Sequence, residues 1–273
     1  MDLHDFKDVA ENYDRYLDVM TENEKSHEHF QEFYYELAKK YGEGGVVDIA
    51  CGTGAVLLYL AEKGIIADGT DLSEEMCRMA SDKASQMGLN LNIYPADMTK
   101  FDSGRKYSLA IIARSGFMHL PTPILQKAAL LNIREQLVDG GILTLNTFDP
   151  FPPHQAVQMK TGPDDYSFRL EYVNSDGKKG KIYNAISYDP VSQIMSGNWK
   201  FETLDDDGNV IDVRIRPVTM RQTYRQEMMW LIELCGFELV ELYKDYNFEK
   251  AGDVSAHNLI WVLRKKCLCQ KYA

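Results

Sequence analysis

The sequence predicts an α/β fold in which helices cover both faces of a parallel, doubly wound sheet and an antiparallel β insertion follows the fifth strand. Three observations support this prediction. From residue 45 onward, short apolar segments alternate with segments of helical periodicity. Three of these apolar segments end at an acidic residue. After Phe148, the prolines Pro150, Pro152 and Pro153 interrupt the alternation, and the segments that follow have the pattern of antiparallel strands.

Two amphipathic helices are predicted ahead of the sheet. Apolar and aromatic residues recur at helical spacing from Phe6 to Met20 and again from Phe30 to Tyr41. We therefore assign residues 1–42 to one N-terminal helical unit.

Residues 43–148 carry the alternation of strands and helices. The first predicted strand, GVVDIA, leads into Gly52-Thr53-Gly54 and a helix that stops at Gly64, and Ser73 is a predicted N-cap. Because strands separated by helices are joined by right-handed crossovers, the sheet is expected to be parallel. The remaining predicted segments are the strand IIADGTD, a helix ending at Gly88, the strands LNIYPAD and YSLAIIA, the helix ILQKAALLNIREQL and the strand GGILTLNTF.

Residues 149–220 are predicted to form the insertion, and residues 221–266 to complete the α/β domain. The insertion contains four strand-like segments, and the turn DDDGN between the last two is a strong hairpin signal. The last strand places Ile211, Val213 and Ile215 on one face and Asp212, Arg214 and Arg216 on the other. One face is expected to pack, and the other to meet solvent or substrate. Further aromatic and cationic groups in this region are Arg169, Tyr172, Tyr183, Trp199 and Tyr224.

The composition excludes several classes of partner. Among 273 residues, 30 are Lys or Arg and 41 are Asp or Glu, which gives a net charge of −11. Binding to a phosphate backbone requires basic side chains that displace counterions, so we expect neither nucleic acid nor an anionic membrane surface as a partner. A local basic pocket for a small anion remains compatible with this charge.

The sequence also favours a cytoplasmic protein. Its N-terminus lacks the cationic and apolar regions of a signal peptide, and no apolar run is long enough to cross a bilayer. The five cysteines show no zinc-ligand spacing and fit reduced thiols. We expect no bound metal.

The candidate ligand site lies at the carboxyl ends of the strands, where open parallel sheets bind their ligands. Asp48, Asp71 and Asp97 stand at three successive strand ends, and a glycine-rich turn follows the first. A dinucleotide fingerprint would need a glycine where this chain has Leu57, which disfavours a pyrophosphate ligand. A carboxylate at Asp71 suits the two hydroxyls of a ribose, and Asp97 suits an exocyclic amine such as that of adenine. The pattern indicates adenosine without phosphates.

The segment VVDIACGTGAVLLYLAEKG resembles motif I of the class I S-adenosylmethionine-dependent methyltransferases, and GTDLS and YPADMTKF resemble the acidic motifs that follow it. The resemblance covers residues 45–147 well. It implies a Rossmann-like seven-stranded sheet with one antiparallel strand and S-adenosylmethionine as cofactor. By position it assigns Ala50, Gly52 and Gly54 to the methionine part, Asp71 to the ribose, Leu72, Asp97 and Met98 to the adenine, and Asp48 to the loop or the amino group. The family usually has glycine at the position of Ala50, which we expect to be tolerated if φ is negative there.

The acceptor side is predicted from position. The residues after the fourth strand, from Arg114 to His119, are expected to face the sulfonium, with Arg114 against the cofactor. Histidine titrates near neutral pH, so His119 is the leading general base; the alternative is a histidine that only bonds backbone ahead of Pro121. Related small-molecule methyltransferases fold an N-terminal helix with tyrosines over the cofactor, which makes Tyr13, more than Tyr16, a candidate for cofactor contact and catalysis.

Several functions remain open at this stage. The leading hypothesis is methyl transfer to nitrogen or oxygen of a small-molecule acceptor by a monomer or homodimer, with residues 149–220 as a cover over the acceptor. Protein or RNA methylation is an alternative, and the absence of a basic channel disfavours RNA. A non-catalytic S-adenosylmethionine-binding module would keep the same acids, so only turnover separates it from an enzyme. A nicotinamide enzyme is a remote fourth hypothesis.

Overall fold

The computed structural model describes residues 29–150, 152–174, 177–252 and 258–267. The helices in these ranges are α1 (Phe30–Tyr41), α2 (Ala55–Glu62), α3 (Glu74–Gln86), α4 (Pro123–Gln136), α5 (Pro152–Gln158) and α6 (Arg225–Leu234), with a 3-10 helix at Gly116–His119. The strands are β1 (Val46–Ile49), β2 (Ala67–Asp71), β3 (Ile93–Pro95), β4 (Tyr107–Ile112), β5 (Leu137–Phe148), β6 (Ser167–Val173), β7 (Lys179–Asp189), β8 (Ile194–Leu204), β9 (Val210–Arg221), β10 (Phe237–Tyr243) and β11 (Asn258–Lys265).

Seven strands form the main sheet, in the order β10-β11-β5-β4-β1-β2-β3. Strands β1 to β5 are parallel to their neighbours among themselves, whereas β11 runs antiparallel to both β5 and β10. This is the doubly wound sheet with one antiparallel strand that the sequence and the resemblance predicted. The strand order reverses beside β1, between β1 and β4, which places the crevice of the sheet at the end of β1.

Helices cover both faces of this sheet, so its central strands are buried on each side. In β1, Val47 and Ile49 pack in one cluster with α4 and α6, while Val46 packs in a second cluster with α1 and α2. Phe33 and Tyr34 of α1 are fully buried in that second cluster. The described part of the predicted N-terminal unit therefore packs into the core, and the predicted helix before it lies outside the described residues.

Local signals in the sequence set the ends of these helices. The Ser73 hydroxyl accepts a hydrogen bond from the Met76 N–H at 3.4 Å, which confirms the predicted N-cap of α3. Gly64 and Gly88 follow α2 and α3 with φ of 84° and 70°, a conformation that glycine adopts at little cost. None of the helices in the described ranges is long and apolar enough to span a membrane.

A second, four-stranded sheet has the order β6-β7-β8-β9 and is antiparallel throughout. The predicted hairpin between β8 and β9 is confirmed, because Asp205 accepts the N–H groups of Asp207 and Asn209 and Gly208 has a φ of 85°. Leu170, Tyr172, Ile182 and Phe201 form a small apolar cluster on one face of this sheet.

Two details differ from the expectations. The prolines after β5 do not only end the sheet, because Pro152 begins the short helix α5, at the first helical position that tolerates proline. The apolar face of β9 is not the packed face: Ile211, Val213 and Ile215 are 49%, 49% and 57% exposed. They lie on an edge strand whose opposite face turns toward the main sheet.

Candidate active site

The three predicted acids lie at one edge of the main sheet. Asp48 belongs to β1, Asp71 ends β2 and Asp97 follows β3, and these strands are neighbours in the sheet. All three side chains line a single cavity of about 860 Å³. Cavities of roughly 300–1,000 Å³ hold small-molecule ligands, so this one is near the upper end of that range.

The cavity has two walls. One wall is the edge of the main sheet, with the loops after β1 to β5. The other wall comes from the second sheet, which contributes Ser167, Arg169, Asn184, Ile186, Met195, Trp199, Arg216, Val218 and Met220. The two sheets therefore enclose one space, and a ligand on the strand ends of the first would face the second.

The loop after β1 is held in an unusual backbone conformation. Ala50, Gly52 and Gly54 have φ of 55°, 56° and 91°, all in the left-handed region. The negative φ that would accommodate an alanine without strain is therefore absent at Ala50, and this alanine carries a strain of about 1 kcal/mol. Its methyl group lies over Gly116, where an added Cβ would come within 3.1 Å of the Ala50 Cβ. Gly116 thus makes room for Ala50.

The loop glycines differ in their position relative to the cavity. Ala50 and Gly52 line it, but Gly54 does not, because Gly54 is the N-cap of α2 and lies behind the loop. The Gly52 N–H donates to the Asp71 carboxylate at 2.9 Å, and the Ser73 N–H donates to its other oxygen at 2.9 Å. Asp71 therefore ties the glycine loop to the start of α3 at the cavity wall.

Asp48 is almost completely buried, with 1% of its surface exposed. Burial, and then the negative charge of Asp71, raise the pKa of Asp48 to about 8, and a hydrogen bond from the Leu57 N–H lowers it in part. The Asp48 Oδ1 has no hydrogen-bond partner among the described residues. A buried, unpartnered acceptor on a cavity wall is a costly arrangement unless a ligand supplies the donor.

The surroundings of Asp97 are more polar than those of Asp48. Burial pushes its pKa up, but hydrogen bonds from the Thr99 N–H at 2.9 Å and the Thr99 hydroxyl at 2.8 Å, and the nearby Lys100, hold the pKa below its usual value. Asp97 is therefore an ionised acceptor at neutral pH. Met98 and Leu72 line the cavity beside it, and Leu72 is 46% exposed.

Arg114 follows β4 and lines the cavity. Its guanidinium is 4.3 Å from the centre of the Phe30 ring, a cation–π contact, and its Nε has no hydrogen-bond partner among the described residues. Arg114 and Ser115 have φ of 49° and 60°. The Asn146 side chain fixes this turn, because it accepts from the Ser115 N–H at 2.8 Å and donates to the Ser115 hydroxyl at 3.0 Å.

His119 ends the 3-10 helix and lines the cavity, half-buried, as predicted from its position. The structure thus places it in the same space as Asp48, Asp71 and Asp97. Tyr13 and Tyr16 lie outside the described residues.

Sequence reasoning missed several cavity residues. Asp149 directly follows β5, lines the cavity, and is held by two hydrogen bonds from Arg225, from Nε at 3.1 Å and Nη2 at 2.7 Å. An acid directly after an apolar strand was a usable signal, because the other three candidates were found that way. Gln155 and Gln222, whose side chains bond each other, and Asn258 offered no such signal.

The sequence and the fold can be compared with known proteins. Residues 46–141 match the family described as Methyltransferase domain. A protein of Geobacillus sp. (strain WCH70), named as a methyltransferase, is 25% identical and aligns over 85% of this chain and 91% of its own length. The chain is a methyltransferase, with its methyltransferase domain at residues 46–141.

Solved structures show the same fold. An S-adenosylmethionine-dependent methyltransferase from Clostridium acetobutylicum ATCC 824 has a TM-score of 0.75 at 14% identity and covers 93% of this chain and 99% of its own. The structure of CalS10, an amino pentose methyltransferase from Micromonospora echinaspora with S-adenosylmethionine bound, has a TM-score of 0.63 at 16% identity and covers 88% and 91%. The cofactor of this methyltransferase is S-adenosylmethionine.

The cavity of the methyltransferase fits this cofactor by its own chemistry. The methionine part carries an ammonium and a carboxylate, and the wall has an unpartnered buried acceptor at Asp48 and an unpartnered buried donor at Arg114. Carboxylates at Asp71 and Asp97 suit hydroxyl and amine donors. An ordinary nucleotide would bring phosphates close to these acids, which disfavours it.

Proposed function

We propose that the enzyme transfers the methyl group of S-adenosylmethionine to a nitrogen or oxygen atom of a small-molecule acceptor bound between the two sheets. The observation that carries this proposal is the single cavity walled by both sheets. A space of about 860 Å³ suits a cofactor and a compact acceptor better than a polymer. The net charge of −11 argues further against RNA. CalS10, whose fold is similar, is named for a small acceptor, an amino pentose.

For the cofactor half we propose the following contacts. Asp71 would accept the ribose hydroxyls, Asp97 with the Met98 backbone would read the adenine edge, and Leu72 would lie against the adenine face. Asp48 and Arg114 would hold the ammonium and the carboxylate of the methionine part. Ala50 and Gly52 would pass close to it with backbone, and Gly54 would support that loop as the N-cap of α2.

For the acceptor half we propose that residues 149–220 cover the acceptor and that the segment before α1, including Tyr13, lies over the cofactor. When bound, the cofactor supplies an electrophilic methyl group on a sulfonium, so the protein must position the nucleophile and accept at most one proton. His119 would take that proton. The Asp149 carboxylate, oriented by Arg225, would hold an N–H or O–H group of the acceptor.

Turnover tests this proposal. The purified chain is incubated with S-adenosylmethionine and panels of amines, amino sugars, phenols, peptides and RNA, and S-adenosylhomocysteine is measured by mass spectrometry. We expect product with at least one small amine or hydroxyl compound and none with RNA or peptides. Activity confined to peptides or RNA would contradict the proposed acceptor class.

A further inference from the structure

The wall of the cavity formed by the second sheet is organised in rows across the strands. Trp199 of β8 lies directly opposite Arg216 of β9 and Asn184 of β7, and Asn184 lies opposite Ser167 of β6. All four residues line the cavity. They therefore form one continuous row across the four strands, with Trp199 next to Arg216 at its β9 end, and we call it the Trp199 row.

A second cation belongs to this wall. Arg169, two residues after Ser167 on β6, also lines the cavity. The positive charge of these two guanidiniums is opposite to the net charge of the chain, which has 41 acidic and 30 basic residues. One carboxylate, Asp165, lines the cavity nearby and accepts from the Gly162 N–H at 2.6 Å. Among the described residues of this wall, two guanidiniums therefore stand beside one carboxylate.

The Trp199 row is separated along the strands of the second sheet from another pair of residues that line the cavity, Met195 and Met220. Met195 and Met220 are paired across β8 and β9, and Arg216 is four residues away from Met220 along β9. At about 3.4 Å per residue, this separation is roughly 14 Å. Beyond the row, the packed cluster containing Phe201 closes this side of the sheet. With methyl transfer beside the main sheet, as proposed above, the row would contact a part of the acceptor distant from the atom that is methylated.

We propose that the Trp199 row is a subsite for an anionic group carried on a planar ring of the acceptor, with Trp199 stacking on the ring and Arg216 and Arg169 binding a phosphate or carboxylate. Arginine binds both anions through paired N–H donors and stacks well on aromatic surfaces. This inference rests on the proposed function, because it names the class of acceptor for the same cavity. The composition is compatible with a local basic pocket for a small anion, and the wall that contains Arg169 and Arg216 would be that pocket.

Binding of simple probes tests the subsite without knowledge of the natural acceptor. Phenyl phosphate, benzoate, inorganic phosphate and the neutral benzyl alcohol are titrated calorimetrically into the enzyme saturated with S-adenosylhomocysteine. We expect one of the two aromatic anions to bind at least about tenfold more tightly than benzyl alcohol, with affinity falling as salt rises. The stronger of the two identifies the phosphate or the carboxylate as the preferred group.

Variants localise the effect. Arg216→Gln and Arg169→Gln should each weaken the preferred aromatic anion about tenfold, Trp199→Leu should weaken it but leave inorganic phosphate unchanged, and Asp165→Asn should strengthen it. The matched control is Arg214→Gln, two residues along β9, where the side chain is exposed and bonds Asp212 at 3.0 Å. S-adenosylhomocysteine affinity should be the same in all of these proteins.

Two results would overturn the subsite. One is benzyl alcohol binding as tightly as both aromatic anions, and the other is Arg214→Gln weakening the anion as much as Arg216→Gln. Either result would leave the proposed function standing if methyl transfer to a neutral acceptor is observed. Conversely, anion binding at the row without any turnover would count against the proposed function alone.

Discussion

The two halves of the cavity are built from the chain in different ways. The half that we propose for the cofactor consists of loops that directly follow buried strands, and its polar groups, such as Asp71 and the Gly52 N–H it accepts from, belong to short contiguous motifs. The half that we propose for the acceptor takes side chains from alternate positions of four strands, and from neighbouring segments in which the bonded pair Gln155 and Gln222 is 67 residues apart. Loops at strand ends can be located from local sequence, whereas a wall of alternating side chains depends on register and on how two sheets face each other.

The largest effect is expected at His119, which lines the cavity and is the proposed general base. His119→Ala should lower kcat by roughly 10²–10⁴ and leave S-adenosylhomocysteine affinity nearly unchanged, because a general base acts on the acceptor proton. The pH–rate profile should lose its acidic limb. The matched control is His29→Ala, an exposed residue outside the cavity. If His119 only positions the acceptor, KM would rise more than kcat falls and the acidic limb would survive.

Asp71 belongs to the cofactor half alone. Asp71→Ala removes the charged acceptor proposed for the ribose hydroxyls, and because a charge-assisted contact of this kind is worth about 1.5–3 kcal/mol, cofactor affinity should fall about tenfold to a hundredfold. The measurement is calorimetry with S-adenosylhomocysteine. Asp68→Ala serves as control, since Asp68 lies on the same strand but bonds the Tyr107 hydroxyl at 2.6 Å outside the cavity. A folded Asp71→Ala protein with unchanged affinity would remove Asp71 from the site.

The contact between Ala50 and Gly116 in the loop after β1 can be tested by protein stability. A Cβ at position 116 would lie 3.1 Å from both the Ala50 Cβ and the Ile112 Cγ2, so Gly116→Ala should destabilise the fold by about 1–3 kcal/mol. Ala50→Gly alone should be neutral or stabilising, because it relieves a positive φ. In the double variant the loss should be smaller than in Gly116→Ala, as measured by urea denaturation. Strict additivity would refute the contact.

The smallest effect concerns the pH dependence that Asp48 imposes. Its pKa of about 8 means that the cofactor-free protein holds this proton at neutral pH. The ammonium of the cofactor favours the ionised form, so affinity should rise with pH, at most about tenfold per unit, and level off above pH 8. Without cofactor, the free energy of unfolding should fall as pH rises. The raised pKa of Asp48 in the native state stabilises the fold fully below the unfolded pKa of about 4, and this contribution is lost as pH approaches 8.

Asp48→Asn is the variant that checks this linkage. It should flatten the dependence of S-adenosylhomocysteine affinity on pH and remove the corresponding loss of stability. Proton release on binding, measured by calorimetry in buffers of different ionisation enthalpy, should approach one proton near pH 7 in the wild type and vanish in the variant. An unaltered pH dependence in Asp48→Asn would assign the effect to another group.

Much of the fold was predictable because each signal was local. Ser73 as a cap, the turn before Asn209 and the alternation of strands through Phe148 all confirm what their neighbours in sequence indicated. The φ at Ala50 was not predictable, since it depends on space left by Gly116, which is 66 residues away. The exposed apolar face of β9 was missed for a similar reason: periodicity separates two faces of a strand but cannot say which one is covered.

A structure of the enzyme with S-adenosylhomocysteine tests the central claim most directly, because it locates the cofactor relative to both walls. We predict the ribose at Asp71, the adenine at Asp97, the amino group at Asp48, and the sulfur facing the space between His119 and the second sheet. Adenosine bound on the second sheet, or a sulfur turned away from that sheet, would contradict the account.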